Sequence, residues 1–230
     1  CPFTEALGSG EPGRSVMKCG DRHFLDVTVV AIDEEPDETD PASLLVLATV
    51  RDISEETLTQ QKHEAIYQAG VDLRDLAPGE VLDMTVEERT ELLKLKIQFY
   101  AKDVLEFDTA EIRLLDRETG ILQPLISSGM DDDASYRALR AEATDNGVTG
   151  FVAATKRSYL CKDTTNDPLY LPGAPGARSS LTVPILLHDE ILGTFNVESP
   201  VPAAFDQTDL KFLEAFAREV AIALNTLELL

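Results

Sequence analysis

The stretch "SSLTVPILLHDEILGTFNVES", residues 179–199, decides the fold. Two apolar runs flank a short polar break, HDE, which predicts two antiparallel strands joined by a tight turn. A helical pattern begins at Asp206 and Asp209 and continues to the last residue. The stretch therefore predicts a β-hairpin followed by a long helix.

The region before this hairpin adds a second hairpin and an insertion. AEIRLLD and ILQPLISSG, around a turn at residues 117–120, form the second hairpin. The insertion contains DDDASYRALRAEA, a polar helix or ordered loop, GVTGFVAATKR, a small-residue helix, SYLCKD, a short strand, and a long loop. A helix with a capping box at Thr85 and Glu88 precedes them all. Helices segregated from a mostly antiparallel sheet predict an α+β sandwich over residues 85–230.

The first part of the chain carries a β pattern. FLDVTVVAI alternates apolar and polar residues, and SLLVLATVRDI is a second β run. The acidic segment between them, Asp33 to Pro41, predicts a solvated hairpin loop. A linker helix over residues 54–84 follows. Its apolar seam comprises Ile66, Ala69, Leu73 and Leu76.

The composition disfavours several classes of partner. The formal net charge is −22 over 230 residues, so nucleic acid and anionic membranes would be repelled. No apolar run is long enough to cross a bilayer. The chain begins at Cys1 rather than Met, so we expect a piece of a longer protein. Free cysteines fit a cytoplasmic location.

Few residues have the types and spacing of a catalytic or metal-binding site. Cys1, Cys19 and Cys161 form no CxxC pair, and no histidine joins them at metal-ligand spacing, so no metal site is predicted. The chain has neither a phosphate-binding loop nor a nucleophile elbow. His63, in KHEAI, lacks the following proline and the ATP-binding segment of a phospho-accepting site, which favours a solvated histidine. We therefore expect no catalysis from this chain.

Four motifs in the second half, taken together, resemble a GAF domain. GVTGFVA, a D-x-x-x-D-P loop, VP followed by I-x-G-x-x-N-V-E, and a closing F-x-x-x-D-L helix occur in this order within residues 85–230. The resemblance implies a GAF-like antiparallel sheet sandwiched by helices, in a sensory module that binds a small molecule or a partner. Residues 1–53, ending in VRDISEE, resemble the C-terminal half of a PAS domain. Both resemblances imply a sensor histidine kinase or a related two-component protein with a downstream output domain.

The GAF resemblance places a ligand pocket between the sheet and the insertion that contains CKDTTNDPLY. The implied pocket residues are Arg113, Cys161, Asp163, Thr165, Asp167, Tyr170, Arg178, Ser180 and Asn196. The alternative is a collapsed core without ligand, in which Asp163 and Asp167 are loop caps and Arg178 pairs with one of them.

The identity of the ligand or cofactor stays open. GAF domains that attach a bilin use a Cys-His pair, which Cys161 lacks. GAF domains that bind cyclic nucleotides carry a Lys and a Glu that are missing here. Free-methionine-sulfoxide reductases on this fold need several closely placed cysteines, whereas Cys161 stands alone in this domain.

The last helix carries an apolar seam at heptad spacing. Its members are Leu210, Leu213, Ala217, Val220, Leu224 and Leu227. If a second face of the helix packs on the sheet, the seam is left for a partner helix, which predicts a homodimer. The alternative is that both faces are buried within one chain.

The segment ATVRDISEET, residues 48–57, is the predicted exit of the PAS-like part. By resemblance, Asp52 pairs with Arg51 or a more distant base, and Ser54 caps the departing helix. A ligand would then change the pose of the helices at Ser54 and Leu210, and an output domain would read that change. The alternatives are a plain helix cap at a domain boundary and, for the whole chain, a ligand-free dimerisation scaffold.

Overall fold

A computed structural model describes residues 2–9, 11–19, 23–32, 46–74 and 84–226. The chain divides into two compact units, Cys1–Gln61 and Lys62–Leu230. The predicted acidic loop from Asp33 to Pro41 lies outside the described residues, as do Leu76 and Leu227 of the two predicted seams. No helix in the described ranges is long and apolar enough to cross a membrane.

The first unit is a three-stranded antiparallel sheet with one short helix. Its elements are α1 (Pro2–Ser9), β1 (Gly13–Lys18), β2 (Phe24–Ala31), β3 (Val46–Asp52) and the start of α2 (Ser54–Arg74). The strand order is β1-β2-β3, which confirms both predicted β runs. Ala6 of α1 packs on Val27 and Val29 of the central strand. The PAS-like assignment stays a prediction.

The strand-to-helix junction differs from the prediction at Ser54. Its hydroxyl donates a hydrogen bond to Asp52 Oδ1 at 2.5 Å and accepts one from the Phe24 backbone N–H at 2.9 Å. The first helical hydrogen bond runs instead from the Thr57 N–H to the Ile53 carbonyl. The prediction that Ser54 caps the helix is therefore wrong, because its hydroxyl holds the helix start to strand β2.

Asp52 does not pair with Arg51, and the expected alternative of a more distant base stays open: besides the hydrogen bonds from Ser54, the charge of His23 lowers the pKa of the Asp52 carboxyl. Arg51 pairs with Glu56 at 2.5 Å, and both side chains are exposed. Consecutive strand residues point to opposite faces, so neighbours such as Arg51 and Asp52 do not meet. The two hydrogen bonds that Asp52 accepts from Ser54 lower the pKa of the Asp52 carboxyl.

The second unit is an α+β fold around a six-stranded antiparallel sheet, as predicted. The strand order is β6-β5-β4-β9-β8-β7. The strands are β4 (Thr109–Leu115), β5 (Ile121–Ser128), β6 (Leu139–Arg140), β7 (Tyr159–Cys161), β8 (Ser179–Leu187) and β9 (Glu190–Ser199). The helices after α2 are α3 (Val86–Phe99), α4 (Asp132–Ser135), α5 (Gly147–Thr155) and α6 (Gln207–Thr226), and a π-helical turn, Tyr100–Val104, follows α3.

Local sequence signals explain where these elements begin and turn. The capping box is confirmed, because the Thr85 hydroxyl accepts the Glu88 N–H and the Glu88 carboxylate accepts the Thr85 N–H. His188 and Asp189 both have positive φ, at 47° and 66°. Two such residues form the kind of tight turn that matches the twist of a hairpin. The turn predicted in HDE therefore joins β8 to β9.

One face of the sheet is apolar and carries the core of this unit. Ile112, Val183 and Phe195 are completely buried in a cluster that also contains Phe216 and Val220 of α6. The linker-helix residues Ile66, Ala69 and Leu73 belong to the same cluster. Asp209 pairs with Lys62 at 3.0 Å, which holds the start of α6 to α2.

The predicted dimer seam on α6 is not available to a partner. Leu213, Ala217, Val220 and Leu224 have no exposed surface, and Leu210 is partly buried. The second face of the helix, with Phe216 and Ala223, is equally buried. Both faces of α6 therefore pack within one chain, which corrects the assignment of these seam residues to a dimer contact. The homodimer itself stays a prediction.

We expect Val220→Glu to unfold the second unit rather than to separate a dimer. A carboxylate at a completely buried position has no cation to pair with in the apolar cluster, so the free energy of unfolding falls by at least ~3 kcal/mol. Urea denaturation measures the change. Gln207→Glu adds the same charge at an exposed position of α6 and should change stability by less than ~0.5 kcal/mol. A stably folded monomeric Val220→Glu variant would restore the seam to the dimer contact.

Candidate functional site

The second face of the six-stranded sheet is polar and buried. Antiparallel pairing places Glu111 opposite Asn196 and Asn196 opposite Thr182. In the next row, Glu198 lies opposite Ser180. We call this set the polar sheet face; its members are Glu111, Arg113, Cys161, Ser180, Thr182, Thr194, Asn196 and Glu198, all buried. Buried polar side chains require partners, so their hydrogen bonds define what this face does.

Glu198 connects the polar sheet face to the loop that covers it. The Thr182 hydroxyl donates to Asn196 Oδ1 at 2.8 Å, and Asn196 Nδ2 donates to Glu198 Oε1 at 3.2 Å. Glu198 Oε2 accepts the Ala174 N–H at 2.7 Å and the Tyr170 hydroxyl at 3.1 Å. The carboxylate therefore holds the loop segment 170–174 against the sheet.

Gly173 allows the covering loop to lie this close to Glu198, because it has no side chain. A Cβ at Gly173 would lie 2.5 Å from Glu198 Oε1 and 2.7 Å from the Met130 side chain. Two further hydrogen bonds hold the same segment, from the Arg137 guanidinium to the Pro172 carbonyl at 2.9 Å and from the Asp131 N–H to the Gly173 carbonyl at 3.1 Å. The loop is thus closed over the polar sheet face at several points.

Arg113 uses its terminal nitrogens to hold the insertion in place. Nη1 and Nη2 donate to four backbone carbonyls at 2.7–3.2 Å, those of Leu122, Ala134, Ser135 and Arg137. These four bonds use all four terminal N–H groups. Glu111 Oε1 lies 2.9 Å from Nη2 and gains charge attraction, but it receives no hydrogen bond. Arg113, which the resemblance assigned to the ligand, therefore serves mainly to hold the insertion to the sheet.

A small cavity remains between the polar sheet face and the covering loop. Its volume is about 30 Å³, room for one or two water molecules. Among the side chains that line it are Glu111, Arg113, Tyr170, Ser180, Asn196 and Glu198. Glu111 Oε1, Arg113 Nε and Ser180 Oγ are buried there without hydrogen-bond partners. Among the residues that line this cavity, one acceptor, one donor and one hydroxyl thus lack a hydrogen bond, and the acceptor, Glu111 Oε1, is held by its ion pair with Arg113.

Burial and charge set the protonation of the site. Burial raises the pKa of Glu198, and the charge of Glu111 raises it further. Burial and the charge of Glu198 also raise the pKa of Tyr170, so its hydroxyl stays protonated and donates. Burial, together with the charge of Asp167, raises the pKa of Cys161 to about 11. The Cys161 thiol is therefore protonated at neutral pH and is a poor nucleophile.

The structure brings only part of the predicted pocket together. Arg113, Tyr170, Ser180 and Asn196 line the cavity. Cys161 lies on the polar sheet face, beside Ser180, but does not line the cavity.

The other four predicted residues lie outside the cavity. Asp163 Oδ1 accepts the Thr165 N–H and hydroxyl, and Arg178 lies 3.6 Å from the same oxygen, with the Asp163 and Arg178 side chains more than 40% exposed. Asp167 accepts the Tyr159 hydroxyl at 2.8 Å and the Leu169 N–H at 2.9 Å. These four residues do not line the cavity, and their contacts are those of the alternative, in which Asp163 and Asp167 cap the loop and Arg178 pairs with an aspartate.

Sequence reasoning missed the two carboxylates of the site. Glu198 belongs to the alternating pattern Thr194, Asn196, Glu198 within a strand that is otherwise apolar, and Glu111 alternates with Arg113 in the same way. Polar residues at every second position of a central strand are the signal of a polar buried face. In the described parts of the chain, no group of three His, Cys, Asp or Glu residues is placed to hold a metal ion.

Fold and sequence now define the class of protein. The six-stranded sheet with helices on its apolar face is an α+β fold, and the GAF domain family model, which describes a class of sensory and regulatory domains, matches residues 78–224. The chain belongs to the GAF domain family. Its predicted resemblance over the second half is confirmed.

Three comparisons place the chain among known proteins. It is 30% identical over 78 residues to the protein YtsP of Bacillus subtilis, a stretch that covers 34% of this chain and spans about half (48%) of YtsP. The GAF domain of a phosphoenolpyruvate-protein phosphotransferase from Coxiella burnetii is 16% identical, with a TM-score of 0.56 over 73% of this chain and 94% of that one. The free methionine-R-sulfoxide reductase of Neisseria meningitidis is 15% identical, with a TM-score of 0.56 over 74% and 92%. At these identities the two structures establish the fold alone.

We expect the raised pKa of Glu198 to appear as a pH-dependent loss of stability. The unfolded chain loses this proton near pH 4.5 while the folded chain still holds it, so the free energy of unfolding falls as pH rises from there through the raised value. Glu198→Gln removes this contribution. The free energy of unfolding of the Glu198→Gln variant, relative to that of the wild type, should therefore rise as pH increases.

Urea denaturation at several pH values measures this difference in slope. Carboxylates that do not interact with Glu198 contribute equally to both proteins and cancel, whereas Glu111 loses its repulsion with Glu198 in the variant. Glu118→Gln, which removes the same charge from an exposed turn, is the matched control and should follow the wild type at every pH. Parallel pH profiles for Glu198→Gln and the wild type would contradict the raised pKa.

Proposed function

We propose that this chain is the sensory module of a larger signalling protein, and that the polar sheet face binds a small polar ligand. The observation that carries the proposal is the set of three unsatisfied buried atoms, Glu111 Oε1, Arg113 Nε and Ser180 Oγ, in one cavity. Leaving a buried donor or hydroxyl unpaired costs about 1–3 kcal/mol, and the ion pair with Arg113 Nη2 offsets part of this cost for Glu111 Oε1. A ligand that satisfies these atoms would replace the one or two water molecules for which the cavity has room.

The chemistry of these atoms describes the ligand. Glu111 Oε1 accepts, Arg113 Nε–H donates, and the Ser180 hydroxyl does either. A matching molecule carries a donor such as an amine or hydroxyl close to an acceptor such as a carbonyl or carboxylate. Amino acids and small amides have this combination.

The covering loop is the element that a ligand would move. A cavity of about 30 Å³ holds water but no such molecule, so binding requires that segment 170–174 lift. Four hydrogen bonds hold this segment, at roughly 1 kcal/mol each, so lifting it costs on the order of 4 kcal/mol. The apparent affinity of the ligand is then roughly a thousandfold weaker than its intrinsic affinity for the state in which the loop is lifted. A ligand that engages Glu111 and Glu198 would thus compete directly with the loop.

The wider setting is part of the same proposal. GAF domains occur in multidomain proteins, such as the phosphotransferase that the solved relative comes from. Helix α2 begins at the Asp52–Ser54 junction and ends within the second unit, so it is a continuous element through which a signal would pass. We place the module in a two-component protein of the cytoplasm, on the PAS-like resemblance of residues 1–53 and the free Cys19 and Cys161.

A ligand-free scaffold is the second candidate, and the size of the cavity favours it. A catalytic role like that of the sulfoxide reductases is disfavoured. Such chemistry needs reactive cysteines, and Cys161, which stands alone in residues 62–230, has a raised pKa.

Ser180→Ala separates ligand binding from folding. Removing an unsatisfied buried hydroxyl should leave the free energy of unfolding equal or higher, because a desolvated group is lost. The same change should weaken ligand binding at least ~tenfold. The measurement is a thermal-shift screen of the 230-residue chain with the twenty amino acids and their amides, followed by titration of any that stabilise it.

Arg178→Ala is the matched control. Its side chain lies at the surface, 3.6 Å from Asp163 and outside the cavity, so binding should persist. Loss of binding in Arg178→Ala with retention in Ser180→Ala would move the site to the outer loop. If native mass spectrometry finds no bound molecule and no tested compound stabilises the wild type, the scaffold is supported instead.

A further inference from the structure

Strand β8 has a neighbouring strand on both sides along only part of its length. Strand β7 pairs with residues 180–182, and in the described residues no strand lies on that side of β8 over residues 183–187. Proline is tolerated at such an edge, and Pro184 lacks the N–H that an added strand would use. The edge therefore disfavours pairing with another strand, which leaves it accessible to a smaller molecule.

A groove lies beside this part of β8. Its volume is about 350 Å³, against about 30 Å³ for the cavity at the polar sheet face. Pro184, which is buried, and Leu186, which is half-buried, give it an apolar lining. Pockets that bind small molecules measure roughly 300–1,000 Å³. The groove, which we call the edge groove, therefore has room for a small organic molecule.

Charged side chains from three elements surround the apolar lining of the edge groove. Lys156 ends helix α5, Arg218 belongs to helix α6, and His188 lies in the turn between β8 and β9. Asp189 and Glu214 also line the groove. With the histidine neutral, the two cations balance the two carboxylates, whereas the whole chain carries a net charge of −22. A bound anion therefore meets less repulsion here than the overall charge of the chain suggests.

The carboxylates of the edge groove leave Arg218 unpaired. Glu214 lies one turn before it on α6, at the spacing of an ion pair, but Glu214 Oε1 accepts the Ser158 hydroxyl at 2.6 Å. Lys156 Nζ donates to the Asp189 backbone carbonyl at 2.7 Å. Among the residues that the structure describes, Arg218 has neither an ion pair nor a hydrogen bond. Its guanidinium is therefore available to a bound anion, with five N–H donors in a planar fork.

We propose that the edge groove binds a small organic anion, a carboxylate or a phosphate attached to an apolar body. The anionic group pairs with Arg218, because a guanidinium matches the geometry of either oxyanion with two parallel hydrogen bonds. The apolar body lies against Pro184 and Leu186, which removes apolar surface from water. No residue of the edge groove lines the cavity at the polar sheet face, so the inference is independent of the ligand proposed for that face.

The open side of the edge groove limits its affinity. Lys156, His188, Asp189 and Arg218 are all exposed, so a ligand is covered only in part, whereas small-molecule pockets usually bury most of the ligand surface. We therefore expect dissociation constants in the millimolar range for a probe with a single ring. At physiological salt the Debye length is about 8 Å, so the distant negative charges of the chain are screened while the contact with Arg218 persists.

The first test is an NMR titration of the 230-residue chain with benzoate and with phenyl phosphate at physiological salt. At least one of the two should shift the backbone amide resonances of Leu186 and Asp189 saturably, and the tighter of the two identifies the anionic group. Benzamide lacks the charge and acetate lacks the ring, so each should bind at least ~tenfold more weakly. No saturable shift from either anion at tens of millimolar, or tighter binding of benzylamine, would overturn the proposal.

Variants of two exposed arginines test the role of Arg218. Arg218→Ala should weaken binding of the anion at least ~tenfold, because it removes a charge-assisted hydrogen bond. Arg157→Ala removes the same charge from an exposed residue that does not line the groove, and it should keep the affinity of the wild type. Thermal unfolding checks that both variants are folded. An equal loss in the two variants would assign the binding to overall charge and overturn the site.

Ser180→Ala separates the edge groove from the polar sheet face. Ser180 lines the small cavity and not the edge groove, so this variant should bind benzoate or phenyl phosphate like the wild type. Loss of anion binding in Ser180→Ala, with retention in Arg218→Ala, would place the anion at the polar sheet face and overturn the proposal.

Discussion

The central strands of the six-stranded sheet are covered on both faces, and this constraint shapes the rest of the second unit. Side chains alternate along a strand, so β9 sends Phe195 and Val197 to one side and Asn196 and Glu198 to the other. The apolar side needs helices to exclude water. The polar side needs hydrogen-bond partners, because a buried group left unpaired destabilises the fold.

The elements that cover the polar side are held mainly by the sheet itself. Arg113 donates to the Leu122 carbonyl within β5 and to the carbonyls of the α4 region, and Glu198 accepts the N–H of Ala174 and the hydroxyl of Tyr170. The cover therefore depends on two charged side chains that are themselves buried. A molecule able to replace those partners would change the cover without disturbing the apolar core. This separation suits a domain whose regulation must not compromise its folding.

Helix α6 shows why a heptad pattern did not identify an interface. Leu213, Val220 and Leu224 repeat at the spacing of a coiled coil, but the spacing reports only that one side of a helix is apolar. Residues of the sheet and of helices α2 and α3 pack with α6 in one cluster, so α6 is buried on most of its circumference.

The sequence by itself determined the order of elements, the antiparallel hairpins, the capping box at Thr85 and membership of an α+β sensory fold, because these follow from local periodicity, turn chemistry and motifs. The resemblance to GAF domains also implied a pocket with Arg113, Tyr170, Ser180 and Asn196, and these four residues line the cavity. Only the tertiary structure decided that Asp163, Thr165, Asp167 and Arg178 lie outside the cavity, that Arg113 binds backbone carbonyls, and that Glu111 and Glu198 complete the site. Such outcomes depend on which backbone groups, distant in sequence, lie next to a side chain in the folded structure. The spacing of residues along the chain does not determine this.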